Sequence, residues 1–190
     1  MNRFRALLLI VAAPLALSGC GYNAIQRFDE QSAQAKQQIS VQLQRRADLI
    51  PNLVATVKGF AKQELEVFTQ VTQARAGLSS AVTSGDLKQM ATANDQVTSA
   101  LGRLMVTVEA YPQLKSDQNF LRLQDELSGT ENRIAVARTD YNAAVQKYNA
   151  YIRQFPQVVT AKVSGAKPRE YFEIQTPGAK AAPTVDFKKQ

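Results

Sequence analysis

Cys20 is the single thiol of a 190-residue chain that contains no histidine. A thiol can serve as nucleophile, metal ligand, disulfide partner or acyl acceptor, and each role needs different neighbours. A lone cysteine removes disulfides, and the lack of imidazole removes Cys-His and Ser-His nucleophile pairs together with the usual zinc, haem and non-haem iron ligand sets. What surrounds Cys20 is a leader pattern. Arg3 and Arg5 make a positive start, Ala6 to Leu17 is an apolar run of 12 residues interrupted by Pro14, and Leu17-Ser18-Gly19-Cys20 closes it on small residues. A membrane-spanning helix needs about 20 apolar residues, and the stretch from Gly19 to Glu30 does not continue the run. Residues 1–19 therefore read as a targeting segment with Cys20 directly after it. The alternative is an ordinary secretory leader or short anchor in which Cys20 is incidental.

The remaining chemistry would have to come from carboxylates, Lys, Arg and Tyr. Acid pairs on helices are common for solubility, so none is read as a general acid/base dyad. The nine glycines form no phosphate cradle. No enzyme, cofactor or metal site is expected. The chain carries 23 Lys+Arg against 16 Asp+Glu, and removal of the leader leaves 21 basic residues. Arg45-Arg46 and Lys188-Lys189 are the only adjacent basic pairs after the leader, unlike the contiguous footprint of a nucleic-acid binder. Solvated helix faces explain this mild excess, and attraction to anionic lipid headgroups would add modestly to an anchor.

From Ile25 to Pro156 apolar residues recur in alternating steps of three and four, the seam of packed helices. The last long segment repeats Phe120, Leu127, Ile134, Tyr141, Tyr148 and Phe155 every seven residues, with Leu123, Thr130, Ala137, Ala144 and Tyr151 between them. Before it run Leu87, Met90, Asn94, Val97, Leu101, Leu104, Val108 and Tyr111, with Asn94 as a polar seam residue able to fix register. Upstream, Glu64 interrupts the line Ile50, Leu53, Val57, Phe60, Val67, Val71, Ala74 and Leu78. A carboxylate there needs a partner, and Arg45, Arg46 and Arg138 are candidates for a structural ion pair. The first mature segment carries Ile25, Phe28, Ser32, Ala35, Ile39 and Leu43, then Arg46 and Ile50. Between Ala47 and Asn52, Asp48 can cap a new helix with Pro51 in its first turn, which favours a corner over one bent helix. Ser79 to Asp86, with Gly85 as breaker and Thr83 or Ser84 as cap, and Tyr111-Pro112 to Asp117 mark the other joints.

The expected fold is all-α: an elongated antiparallel four-helix bundle over residues 20–156, in a rod about 35 to 55 Å long. After Pro156 the chain turns to Gly165, Pro168, Pro177, Gly178 and Pro183, so residues 157–190 are expected to be extended and partly disordered. Tyr171-Phe172 and Phe187 are spaced to pin this tail to the bundle, or to act as hooks for a partner.

Two resemblances sharpen the expectation. Leu17-Ser18-Gly19-Cys20 resembles the lipobox of bacterial lipoproteins, which implies a diacylglyceryl group (palmitate-type acylation) on Cys20, cleavage before it and acylation of the new amine. Two or more chains anchor stably. Gly21, where an Asp would retain a lipoprotein in the inner membrane, favours the outer membrane and a periplasm-facing domain. Gln44-Arg45-Arg46-Ala47-Asp48-Leu49-Ile50-Pro51-Asn52-Leu53-Val54, Val57-Lys58-Gly59-Phe60-Ala61 with Glu64, and Glu109-Ala110-Tyr111-Pro112-Gln113-Leu114-Lys115 are similar to the signature of the LemA family. So are Asn119-Phe120, Thr130-Glu131, Tyr141-Asn142, Tyr148-Asn149 and Phe155-Pro156, covering Tyr22 to Pro156, with Tyr171-Phe172-Glu173 and Pro183 to Phe187 in the tail. The resemblance implies a four-helix bundle behind a membrane segment. Together these patterns lead to a non-enzymatic, lipid-anchored scaffold of the cell envelope that binds other envelope proteins. The alternative is a small-ligand or lipid-binding bundle in which Glu64, Asn94, Arg45 and Arg138 line a cavity. The seams allow either a closed monomer or helix exchange in an oligomer.

Overall fold

A computed structural model describes residues 2–173, with side chains from Gly21 onward, and every regular element among the described residues is an α-helix. They are α1 (Asn2–Phe60), α2 (Leu65–Ser84), α3 (Leu87–Val108), the single turn α4 (Pro112–Lys115), α5 (Gln118–Tyr151) and α6 (Gln157–Ser164). The side chain of Cys20 and the tail from residue 174, Phe187 included, lie outside the described residues. The chain divides into two units, one formed by the chain up to Ile39 with Ile134–Tyr171 and the other by Ser40–Arg133 with the chain from Phe172, so α1 and α5 contribute to both.

In the second unit successive helices reverse direction. Arg103 Nη1 donates to Gln70 Oε1 at 2.8 Å, and a Cβ built on Gly77 would stand 3.9 Å from Gln96 Oε1, so α2 and α3 run antiparallel. The core is drawn from Leu43, Ile50, Leu53 and Val57 of α1, Phe68, Val71 and Leu78 of α2, Met90, Val97, Leu101 and Leu104 of α3, and Phe120, Leu123 and Leu127 of α5. Burial of each such side chain stabilises by about 1.5–3 kcal/mol relative to exposure.

The corner expected at Asp48 and Pro51 is not there. α1 runs through both residues and ends at Phe60, and the turn Ala61–Glu64 makes the joint. Proline removes the donor that would bond the carbonyl four residues back. Here Arg75 Nε donates to that carbonyl, Ala47 O, at 3.2 Å. Pro51 itself is exposed, and the buried line Leu43, Arg46, Ile50, Leu53, Val57 passes it without interruption. Asp48 accepts from Gln44 Nε2 at 2.8 Å within the same helix and caps nothing.

The joint after α2 also uses a different cap from either expected one. Thr83 and Ser84 still belong to α2, Gly85 closes it at φ 68°, donating to Ala81 O and Val82 O, and the Asp86 carboxylate caps α3 by accepting from Gln89 N at 2.8 Å. Asp117 caps α5 in the same way, accepting from Phe120 N at 2.9 Å.

The seven-residue repeat of α5 holds from Phe120 through Tyr148, while the line between its members slips after Ala137. Val145 and Ile152 are buried where Ala144 and Tyr151 were expected, and Phe155 lies beyond the helix end, 83% exposed. An α-helix drifts about 20° per heptad against a strict repeat, which moves the buried line by one residue after three heptads.

In the first unit Ile25, Tyr148, Ile152 and Ala161 form a core, with Phe28, Tyr151 and Ala166 packed on it and the Phe28 and Tyr151 rings 5.0 Å apart. Ala161 belongs to α6, a helix where extended chain was expected. The Gly- and Pro-rich texture begins only at Gly165, whose φ of 70° closes α6, and the eight residues before it contain neither breaker. Their one deeply buried residue, Ala161, fits the gap beside Ile25 and Ile152.

Candidate functional site

Arg46 presents the densest polar chemistry of the second unit. It occupies a seam position of α1 and is 4% exposed. Its Nη1 donates to Oδ1 of Asn94, itself 1% exposed, and pairs with the Glu131 carboxylate, while Nη2 donates to Thr98 Oγ1 at 3.0 Å. Three helices thus converge on one guanidinium. A buried cation needs such partners, since its desolvation is otherwise very costly. Thr98 in turn donates to Asn94 O at 3.1 Å, so the network closes on itself.

A second polar group ties down the chain after α6. Asn149 of α5 donates through Nδ2 to Arg169 O at 2.9 Å and accepts from Arg169 N at 2.8 Å, so one side-chain amide holds both backbone polar groups of one residue. Tyr141 donates its hydroxyl to Glu170 O at 2.8 Å. The Arg169 guanidinium forks onto Asp29, Nε to Oδ1 at 2.8 Å and Nη2 to Oδ2 at 2.9 Å, and stacks 5.9 Å from the Tyr148 ring centre. The hydrogen bonds from Arg169, and then its charge, hold the Asp29 carboxyl below its ordinary value. Burial pushes both the Tyr141 and Tyr148 hydroxyls up, the Asp29 charge adding to the effect at Tyr148. A carboxylate, a guanidinium and two high-pKa phenols resemble the makings of acid–base chemistry. All are occupied with one another and with the backbone they hold. Of the three aromatics expected to pin the tail, Phe172 is buried, Tyr171 is 45% exposed and Phe187 lies outside the described residues.

The remaining candidate residues stand apart. Glu64 sits in the corner ahead of α2 and, among the described residues, accepts from the Tyr111 hydroxyl at 3.1 Å, not from a guanidinium. That hydrogen bond, above all, raises the Tyr111 pKa. Arg45 is exposed on α1, and Arg138 belongs to the first unit while Glu64 and Asn94 belong to the second. Of the polar residues weighed as lining a ligand cavity, Asn94 bonds Arg46 and Glu64 bonds Tyr111. An open groove of about 370 Å³ between α2 and α3, lined by Gly77, Ala81, Lys88, Gln89, Ala93 and Gln96 among others, includes none of them. Among the described residues no group of three His, Cys, Asp or Glu side chains is placed to hold a metal ion. The sequence concealed the Asp29–Arg169 pair because its members are 140 residues apart and neither interrupts a hydrophobic pattern.

Cys20 is followed by Gly21, whose surroundings are defined. Gly21 is buried against α6, and a Cβ there would stand 3.4 Å from Thr160 Oγ1 and 3.9 Å from Gln157 Cγ. Among the described residues no helix is long and apolar enough to cross a membrane.

These features define an all-helical bundle protein whose internal polar groups bond each other. A model of the LemA family matches residues 35–187, and the chain belongs to that family. The magnetosome protein MamQ 2 of Paramagnetospirillum magneticum is 31% identical over 193 residues, covering 90% of this chain and 71% of that protein. MamQ of Magnetospirillum gryphiswaldense is 29% identical over 180 residues, with 83% and 66% covered. Protein LemA of Metamycoplasma hominis is 26% identical over 133 residues, with 70% and 60% covered.

Proposed function

We propose that this protein is a non-enzymatic helical scaffold, held at a membrane of the cell envelope by acyl chains on Cys20 and facing the periplasm. The observation that carries the reading is the leader ending at Leu17-Ser18-Gly19-Cys20, followed directly by a glycine buried in the folded domain. An anchor at Cys20 then joins the bundle with no linker, so the domain is held at the lipid surface. Gly21 in place of Asp favours the outer membrane. The absence of a role in chemistry is supported by the two polar networks, whose members serve as each other's partners. None of the relatives' names describes a reaction. In this reading the partners are other proteins of the envelope, recognised through a helix face of the bundle or through the tail.

Mass spectrometry of the mature N-terminus, combined with membrane fractionation, tests the anchor: a diacylglyceryl-modified and N-acylated Cys20 is expected, whereas an intact Met1 would overturn it. Crosslinking in intact cells tests the scaffold. It is expected to return specific envelope proteins, and a blank from both membranes would remove the scaffold role.

A further inference from the structure

α6 buries a small residue and turns two of its three valines outward. Ala161 is buried and Gln157, Val158 and Thr160 are partly covered, while Val159 is 55% and Val163 86% exposed. Those two valines lie four residues apart on one helix face. Phe155, just before the helix, is 83% exposed. A short helix in water normally presents the reverse pattern. The segment from Arg153 to Arg169 also contains four cations and no acidic residue; Arg153, Lys162 and Lys167 are exposed, and Arg169 is held by Asp29. Apolar side chains flanked by cations fit the boundary of an anionic bilayer, with the former entering the acyl region and the latter meeting headgroups.

The position of this face singles out the occupant. Gly21 packs on Thr160 and Gln157 of the same helix, so α6 adjoins the residue that follows the anchor point. Tyr22, 47% exposed, adds an amphipathic ring of the kind enriched at the lipid–water boundary. The geometry points to a second membrane contact: Phe155, Val159 and Val163 enter the surface of an anionic bilayer, and Arg153, Lys162 and Lys167 bind its headgroups. This rests on the anchored reading above for what brings α6 to the surface. A second attachment point would set the orientation of the first unit on the membrane, which a lipid at Cys20 alone leaves free to swivel.

The chain has no tryptophan, so Phe155→Trp in the full mature protein supplies a unique reporter at an exposed position. The protein is reconstituted into phosphatidylcholine vesicles with and without phosphatidylglycerol, with lipids brominated in the upper acyl chain, roughly 5–10 Å below the headgroup boundary. Expected are blue-shifted emission and quenching by the brominated lipid, stronger with phosphatidylglycerol. Val163→Asp in the same background is expected to abolish the quenching, and Arg153→Gln with Lys162→Gln and Lys167→Gln to erase the preference for phosphatidylglycerol. Vesicle-bound protein with acylated Cys20 and an unquenched tryptophan would overturn the inference while leaving the anchor intact. Quenching in protein whose Cys20 proves unmodified would support the inference and remove the anchor. A blue shift produced by solubilised envelope proteins but not by vesicles would overturn it in favour of a protein-docking face.

Discussion

Arg46 shows how one residue can be necessary to a core without adding much to its net stability. Its guanidinium gains charge-assisted bonds to Asn94, Thr98 and Glu131, yet it must first be taken out of water. Removing one partner exposes the asymmetry. Arg46→Met is expected to lower the unfolding free energy by about 3 kcal/mol, because the buried Asn94 amide loses its donor. In Arg46→Met with Asn94→Leu the loss is expected to fall short of the sum of the single variants by more than about 1 kcal/mol, read by urea denaturation. Additive losses would mean that the pair is not coupled. Asp29 gives a pH-dependent counterpart. Its folded pKa is depressed by Arg169, so its contribution is present above the unfolded carboxylate value of about 4 and is lost as pH falls through the folded one. Asp29→Asn is therefore expected to be less stable than the parent at pH 7, with the gap closing toward pH 3; a gap of constant size would exclude the pair as its source. At this scale the sequence was half legible. Arg46 and Asn94 stood out because each interrupts an apolar seam, whereas Glu131, Asn149 and Arg169 sit where polar residues are ordinary, and only the folded chain brings them to their partners.

Among the elements, the strongest local signal was misleading and the weakest decided the corner. Pro51 with Asp48 has the form of a helix start, but tertiary contact supplies the missing donor, and α1 continues. The true corner, Ala61-Lys62-Gln63-Glu64, contains no Gly, Pro, Ser, Thr, Asn or Asp, and its nearest warning is Gly59. A double-mutant cycle tests this account. Arg75→Ala is expected to cost about 1 kcal/mol when residue 51 is proline and markedly less in a Pro51→Ala background, where residue 51 can bond Ala47 itself. Equal costs would exclude Arg75 as the compensating donor. The clamp on the chain after α6 depends similarly on one side chain. Asn149→Ala loses both bonds to Arg169 and is expected to speed tryptic cleavage after Arg169 several-fold, with amide protection in α2 and α3 unchanged. Unaltered cleavage would show that Tyr141 and Asp29 suffice.

For the whole molecule, seam periodicity made the all-helical class and the sequence of long helices legible, because a burial pattern survives small shifts of register. α6 was hidden by a tail rich in glycine and proline, although those residues begin only where the helix ends. The proposed anchor is tested on the entire chain: Cys20→Ser is expected to abolish acyl labelling and leave the leader uncleaved. Normal processing and labelling of that variant would move the anchor elsewhere. The Asp29–Arg169 fork joins residues 140 positions apart, and this separation orders events in time. Chain that emerges from Ser40 to Arg133 already contains the four helical segments of its own core. Ile25 must wait until Tyr148, Ile152 and Ala161 have been made, and the fork waits longer still. Pairings so distant in sequence form slowly. The stretch that follows Cys20 therefore remains open through most of synthesis, leaving an interval in which a modifying or escorting factor can reach the N-terminus before α6 covers Gly21.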